Sequence, residues 1–150
     1  MLHRPFQRRD FDEFRSWFID PLLQKTLGPM DEEWLEYVLA ENPPAQFSFF
    51  VDDSLVAVIG ISFPVQEHPY FVVTDVAVLP AKRRQGIAAK AISLLQDSFV
   101  DTEFCNHQWH ACVEPDNSGG KAFFDSLGWQ RDTRIQNDMY YYRSNGPNDA

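Results

Sequence analysis

The sequence predicts an α/β fold: a mixed β-sheet whose central strands include one parallel pair, with helices on both faces. Three observations predict it. The middle of the chain reads strand, loop, helix, strand, helix, and a strand–helix–strand unit of this length favours a parallel pair with a right-handed crossover. Upstream, two apolar runs joined by a short polar turn signal an antiparallel hairpin. From Gly86 onward the apolar spacing changes to a period near 3.6, as a helix lying on a sheet requires.

Each element has its own signal. In the segment Asp10–Asp20, Phe11, Phe14 and Phe18 fall at helical spacing, and Gly28-Pro29 ends that region. Asp31 then reads as an N-cap, with Glu32 and Glu33 in a first turn whose dipole favours anions. Trp34/Val38 and Leu35/Leu39 supply the apolar side, and Asn42-Pro43-Pro44 stops the helix. Gln46–Val51 and Leu55–Phe63 are strands joined by a turn at Asp52-Asp53-Ser54. Tyr70–Val78 is β-branched and apolar, as a central strand is, and Pro80 closes it. Ala88, Ile92, Leu95 and Phe99 line one face of the next helix. Asn106–Val113 reads as a strand. Asn117 or Asp116 caps a last helix with Gly120, Phe123, Phe124 and Leu127 on its apolar face, and Gly128 ends it as a C′ residue. Asp138–Arg143 is a late strand. One domain over residues 1–143 and a loose tail over 144–150 are expected.

Composition narrows the function classes. The chain has 150 residues, 44% hydrophobic and 15% aromatic, enough for a sizeable core. Thirteen Lys+Arg stand against 22 Asp+Glu, a net charge of -9, which is the wrong balance for a nucleic-acid binder. The acidic surplus serves either solubility or attraction of a cationic substrate. Two cysteines, Cys105 and Cys112, form no CxxC pair and suit a reducing cytoplasm. The N-terminus has no apolar signal region, and no apolar run approaches a membrane span. Cytoplasmic location, no nucleic-acid partner, no membrane and no metal are therefore expected. A homodimer is compatible with the sequence.

Within this acidic chain, Lys82, Arg83 and Arg84 stand together between a strand end and a helix start. The first amides of a helix lack intrahelical partners and, with the dipole, attract anions. Gly86 lets a phosphate approach without a Cβ in the way. The stretch is thus either a pyrophosphate cradle or a solvated basic turn. Only one glycine is present, so it is not a dinucleotide fingerprint, and "SGGKAF" lacks the first glycine and the hydroxyl of a Walker loop.

Val76-Ala77-Val78, Pro80 and then Arg83-x-x-Gly86-x-Ala88 resemble the acetyl-CoA signature of the GNAT superfamily of N-acyltransferases. "NSGGKAFFDSLGW" resembles the later motif of that family, with Asn117, Phe124, Gly128 and Trp129 at its offsets. The resemblance covers residues 70–129. It implies a GNAT-like sheet and acetyl-CoA as co-substrate. Arg83 would lend charge, and the amides of Arg84, Gln85, Gly86, Ile87, Ala88 and Ala89 would hold the pyrophosphate. The backbone of Val76, Ala77 and Val78 would pair with the pantetheine arm, as in strand addition. Asn117 would bond the pantetheine, and Phe124 would pack beside the cofactor sulfur.

Amine acetylation must deprotonate an amine, polarise the thioester carbonyl and reprotonate the thiolate. Family members commonly use a tyrosine on the last helix as the acid, and here that position is Phe124, which has no hydroxyl. Tyr140, Tyr141 and Tyr142 are the available replacements, or else sheet aromatics. His110 is the best base by intrinsic pKa, or else a hydrogen-bonded structural histidine. His110, Cys112 and Glu114 share one strand face. Cys112 is expected to be a small buried residue, and Asp75 structural or capping. The first two helices, about Asp10–Glu41, carry Phe18, Asp20, Asp31, Glu32, Glu33, Trp34 and Tyr37; acid plus aromatics suits a cation, or an ordinary amphipathic helix. The reading is an N-acetyltransferase moving an acetyl group from acetyl-CoA directly to an amine of a small molecule or protein. Its rival is a non-catalytic acyl-CoA-binding sensor on the same fold.

Overall fold

The structure is a computed structural model and describes residues 1–132 and 138–144. Seven strands form one sheet in the order β1-β2-β3-β4-β5-β7-β6. In chain order the strands are β1 (Leu2–Pro5), β2 (Gln46–Val51), β3 (Ser54–Ser62), β4 (Phe71–Val78), β5 (Trp109–Val113), β6 (Gln130–Arg131) and β7 (Tyr140–Arg143). The helices are α1 (Phe11–Ser16), α2 (Pro21–Leu27), α3 (Glu32–Ala40), α4 (Ile87–Asp97) and α5 (Ser118–Ser126). β4 and β5 are parallel, in the register Phe71↔Trp109 to Val73↔Ala111, as the strand–helix–strand pattern predicts. β1/β2, β2/β3, β5/β7 and β6/β7 are antiparallel.

The chain divides into two compact units, Met1–Gly60 with Asp75–Leu95, and Ile61–Thr74 with the described residues from Gln96 onward. In the first unit Phe6, Phe11, Phe14, Trp17, Leu23 and Leu35 pack with Val58 and Ala77 of the sheet. Phe14 is 1% exposed and meets Phe6, Trp17 and Phe18 edge to face. Burying each such ring contributes about 1.5–3 kcal/mol. Asp10 anchors this core. Burial pushes its carboxyl up, but the Arg4 fork at 2.7 and 2.8 Å, the Gln7 amide and the Ser48 hydroxyl outweigh that and hold it below the usual carboxylate range. In the second unit Phe71 stacks on Trp109 at 4.2 Å, and Phe63, Phe99 and Phe104 close around them.

Several elements differ from expectation; among them, the late strand expected over Asp138–Arg143 begins at Tyr140, and α4 ends at Asp97, before Phe99. The region expected as one helix over Asp10–Asp20 is α1 followed by a 3-10 turn, Trp17–Ile19, and a further helix, α2, follows it. Asp20 caps α2 and Pro21 begins it, which is favourable because the amide proline lacks would be unbonded there. β1 and β6 were not expected; both are short strands whose pairing is supplied by their neighbours. The strand expected over Asn106–Val113 begins at Trp109. Ser144, expected in the loose tail, is 6% exposed, because its amide donates to Trp109 O at 2.7 Å and its hydroxyl accepts from Trp109 N at 3.0 Å. Residues 145–150 of that tail lie outside the described residues. Among the described residues no helix is long and apolar enough to cross a membrane.

Candidate active site

The loop that opens α4 belongs to the first unit. After Val78 the chain makes a 3-10 turn, Pro80–Lys82, and Arg83 leaves it extended at φ -63°, ψ 154°. Arg84 then adopts φ 64° and Gly86 φ 75°. Two left-handed residues flanking Gln85 re-aim consecutive backbone amides, the geometry from which anion-binding nests are built. A left-handed arginine is strained by roughly 1–2 kcal/mol, and such strain concentrates at functional loops. Gly86 also starts α4, its carbonyl accepting from Lys90 N at 3.1 Å, so the amides of Ile87, Ala88 and Ala89 belong to the unpaired first turn. A Cβ built on Gly86 would meet no protein atom within 4 Å. The glycine is therefore required by its φ and not by packing. Lys82 and Arg84 are exposed, whereas Arg83 is half-buried against Asp20.

On β4, Asp75 accepts a 2.7 Å hydrogen bond from Gln46 Nε2. A Cβ on Gly60 would stand 2.2 Å from Asp75 Oδ1 and 2.5 Å from Gln46 Oε1, so the pair lies flat on that glycine. This is the structural role expected of Asp75. Burial, then the Asp75 charge, raises the Glu41 carboxyl.

The second unit gathers the titratable groups. β5 presents His110, and its ring stacks on that of Tyr70 at 3.8 Å. His110 Nδ1 lies 2.8 Å from the Tyr141 hydroxyl and Nε2 lies 3.3 Å from Gln108 Oε1. The Tyr141 hydroxyl also bonds that of Tyr70, which lies 3.0 Å from His68 Nδ1. The contacts run in one line from His68 through Tyr70, Tyr141 and His110 to Gln108. Burial, then the Arg143 charge, lowers His110 to about 4, so it is neutral at pH 7. Burial and the Tyr70 hydroxyl push the Tyr141 phenol well above its ordinary value.

The structure thus brings His110 and Tyr141 together and separates Tyr140 from them. Alternation in β7 puts Tyr140 opposite Val113, where Lys121 and Arg131 lie over its ring at 4.9 and 5.4 Å. Tyr142 is fully buried. Phe124 is 6% exposed, 5.0 Å from Trp129 and 5.5 Å from Tyr142, ring to ring. Asn117 caps α5, its Oδ1 accepting from Gly120 N at 2.9 Å. Cys112, expected buried, is exposed, because alternation in β5 places it on the face opposite the buried Ala111 and Val113. Of the helix residues considered for a cation, Trp34 and Phe18 pack on the core, Asp31 caps α3, Asp20 caps α2, Glu32 faces Arg8 at 3.8 Å, and Tyr37 is exposed. Tyr70 and Gln108 were not singled out from sequence. Their proximity to His110 depends on a parallel register that no local pattern reveals.

The sequence model of the acetyltransferase (GNAT) family matches residues 11–129. No protein of curated function matches in sequence. Many solved structures share the fold. An acetyltransferase from Thermus thermophilus superimposes with a TM-score of 0.74 at 14% identity, covering 95% of this chain and 96% of that one. The diaminobutyrate acetyltransferase of Paenibacillus lautus, in complex with L-2,4-diaminobutyric acid and coenzyme A, gives 0.64 at 15% identity over 95% and 92%. The paia N-acetyltransferase of Thermoplasma acidophilum, in complex with coenzyme A, gives 0.68 at 13% identity over 95% and 97%.

Proposed function

Because this chain belongs to the GNAT acetyltransferase family, we propose that it transfers an acetyl group from acetyl-CoA directly to an amine, holding the pyrophosphate on the Arg84–Ala89 loop. The observation that carries this reading is the loop itself: left-handed Arg84 and Gly86, unpaired first-turn amides of α4, and open space where a Gly86 side chain would stand. Those residues fit a pyrophosphate, whose oxygens accept from backbone amides. β4 runs on to Val78 after its ladder with β5 has ended at Val73, and the backbone of Val76–Val78 suits an extended pantetheine arm.

The chemistry requires three proton movements. A lysine-like amine is neutral in only about one molecule in 10³–10⁴ at pH 7, so the ammonium must first lose a proton. The amine nitrogen then forms a bond to the thioester carbon, the C–S bond breaks with its electron pair going to sulfur, and the nitrogen loses a second proton. The thiolate takes one proton back. We assign that last step to Tyr141, whose hydroxyl lies 2.8 Å from His110 Nδ1; burial raises its phenol, so it is a weaker acid than a free tyrosine and acts through position. Neutral His110 keeps the phenol oriented, and its pKa, lowered to about 4, makes it a weak proton acceptor at pH 7, against its expected role as the base. Direct transfer needs no cysteine nucleophile, and partial desolvation by its neighbours raises the thiol of the exposed Cys112 away from the thiolate.

The test is calorimetric titration of coenzyme A into wild type and Gly86→Val. A Cβ at position 86 would meet no atom beyond its own turn within 4 Å, and valine at φ 75° is strained, so circular dichroism accompanies the titration; in the folded variant affinity should collapse. Unchanged affinity in the folded variant removes the loop from the site.

A further inference from the structure

Arg83 leads the R-x-x-G-x-A run, yet its side chain is engaged by a residue distant in sequence. Nη1 lies 3.0 Å from Asp20 Oδ1 and Nη2 lies 2.8 Å from Oδ2, a parallel fork-to-fork pair. The two side chains are 31% and 19% exposed. The Arg83 guanidinium, foremost among its partners, holds the Asp20 carboxyl below the usual range. The same carboxylate caps α2, with Oδ2 accepting from Leu23 N at 3.1 Å. Asp20 therefore joins the first turn of α2 to the residue that immediately precedes left-handed Arg84.

We propose that Arg83 is a positioning residue: with Asp20 it forms a strut that sets the anion loop against the first turn of α2, and it is not itself a phosphate ligand. The proposal rests on the coenzyme A reading of the loop. A bidentate guanidinium–carboxylate pair fixes direction as well as distance, which a single hydrogen bond does not. An unusual backbone conformation at a non-glycine residue persists only where its surroundings over-determine it, and the locked Arg83 is the adjoining constraint. The family resemblance alone would send this arginine's charge to the cofactor. The geometry sends it to Asp20 and leaves the amides to bind.

The sign of one substitution separates the two roles. Removing the Asp20 carboxylate takes a negative charge away from an anion site, which by Coulomb's law should tighten coenzyme A binding if Asp20 does nothing else. The strut requires the opposite. Asp20→Asn is the useful variant because asparagine caps a helix as well as aspartate does, so α2 keeps its first turn while the charged fork is lost. Coenzyme A is titrated calorimetrically into wild type, Asp20→Asn, Arg83→Ala, Arg83→Lys and the Asp20→Asn/Arg83→Ala double variant. Each single variant is expected to weaken binding roughly five- to tenfold, the scale of a half-exposed bidentate pair. Lysine should not rescue, since it offers a point charge and no fork. The double variant should be no worse than the weaker single one, as partners in one interaction are non-additive. A ligand-free readout accompanies it: trypsin should cut after Arg84 faster in Asp20→Asn than in wild type. Unchanged or tighter binding in Asp20→Asn, or full affinity in Arg83→Lys, overturns the strut. Wild type that binds no coenzyme A overturns the loop reading instead, and the proteolysis rates then still report whether Asp20 holds the loop.

Discussion

The hydroxyl of Tyr141 lies 2.8 Å from Nδ1 of His110, and the pair is reached from two distant parts of the chain, β5 and β7. Antiparallel pairing sets Tyr141 opposite Cys112 and puts its neighbours Tyr140 and Tyr142 on the other face. Only one of three consecutive tyrosines therefore addresses the histidine. Tyr141→Phe should lower acetyl transfer by about 10²–10⁴-fold, the usual contribution of a positioned acid, at constant coenzyme A affinity. Tyr140→Phe should leave the rate near wild type. Steady-state kinetics beside calorimetry checks both, and a wild-type rate in Tyr141→Phe removes Tyr141 from the chemistry.

Phe124→Tyr should not restore a missing acid. The ring is packed against Trp129 and Tyr142 in the core, so an added hydroxyl must find a partner or be buried without one. The expected cost is about 1–3 kcal/mol with no gain in rate. Differential scanning calorimetry and the same kinetic assay report the two halves. A faster enzyme of unchanged stability would show that the position does face the reaction.

Stability should depend on pH through His110. Its folded pKa is lowered from 6.5 to about 4. Between those values the unfolded chain binds a proton that the folded chain does not. The histidine's contribution is thus complete above pH 6.5 and is lost as pH falls toward 4. The lowered carboxyls of Asp10 and Asp20 act on the acid side of this window, as pH falls through their ordinary value of 3.8 and below. Urea midpoints at pH 7, 5.5 and 4.5 should fall for wild type and fall less for His110→Gln. Parallel curves would show that His110 is not held neutral.

Asp10→Ala should be the costlier loss. It strips the Arg4 guanidinium, the Gln7 amide and the fully buried Ser48 hydroxyl of their acceptor at once. Breaking a buried, charge-assisted network costs about 3–5 kcal/mol. Urea unfolding at pH 7 measures it, and a loss under about 1 kcal/mol would mean that water replaces the carboxylate freely.

What the sequence made legible was what short-range chemistry decides. Asn117 caps α5 and Gly128 (φ 76°) ends it. Asp52 and Asp53, both left-handed, turn the β2–β3 hairpin in the sense that matches strand twist. The anion loop stood out because a glycine, a helix start and three cations coincide. Asp20-Pro21 also carried a local signal, an N-cap followed by proline, and with it α2 was recoverable. β1 was not: "LHRP" has no strand pattern of its own and is ordered by pairing with β2. The Tyr70–His110–Tyr141 cluster was half legible, since alternation grouped His110 with its strand face but the register of β4 on β5 comes only from tertiary packing. The contact of Arg83 with Asp20 was hidden for the same reason, its partner lying 63 residues away.

Whether this chain turns acetyl-CoA over is decided by amine-dependent thiol release from the wild-type protein, measured across a panel of small-molecule and peptide amines. Free coenzyme A should appear only when both an amine and an intact loop are present, and its release should disappear in Gly86→Val. Tight coenzyme A binding with no release for any amine, in wild type and in Phe124→Tyr alike, would refute the transferase reading and leave a protein that senses the cofactor without turning it over.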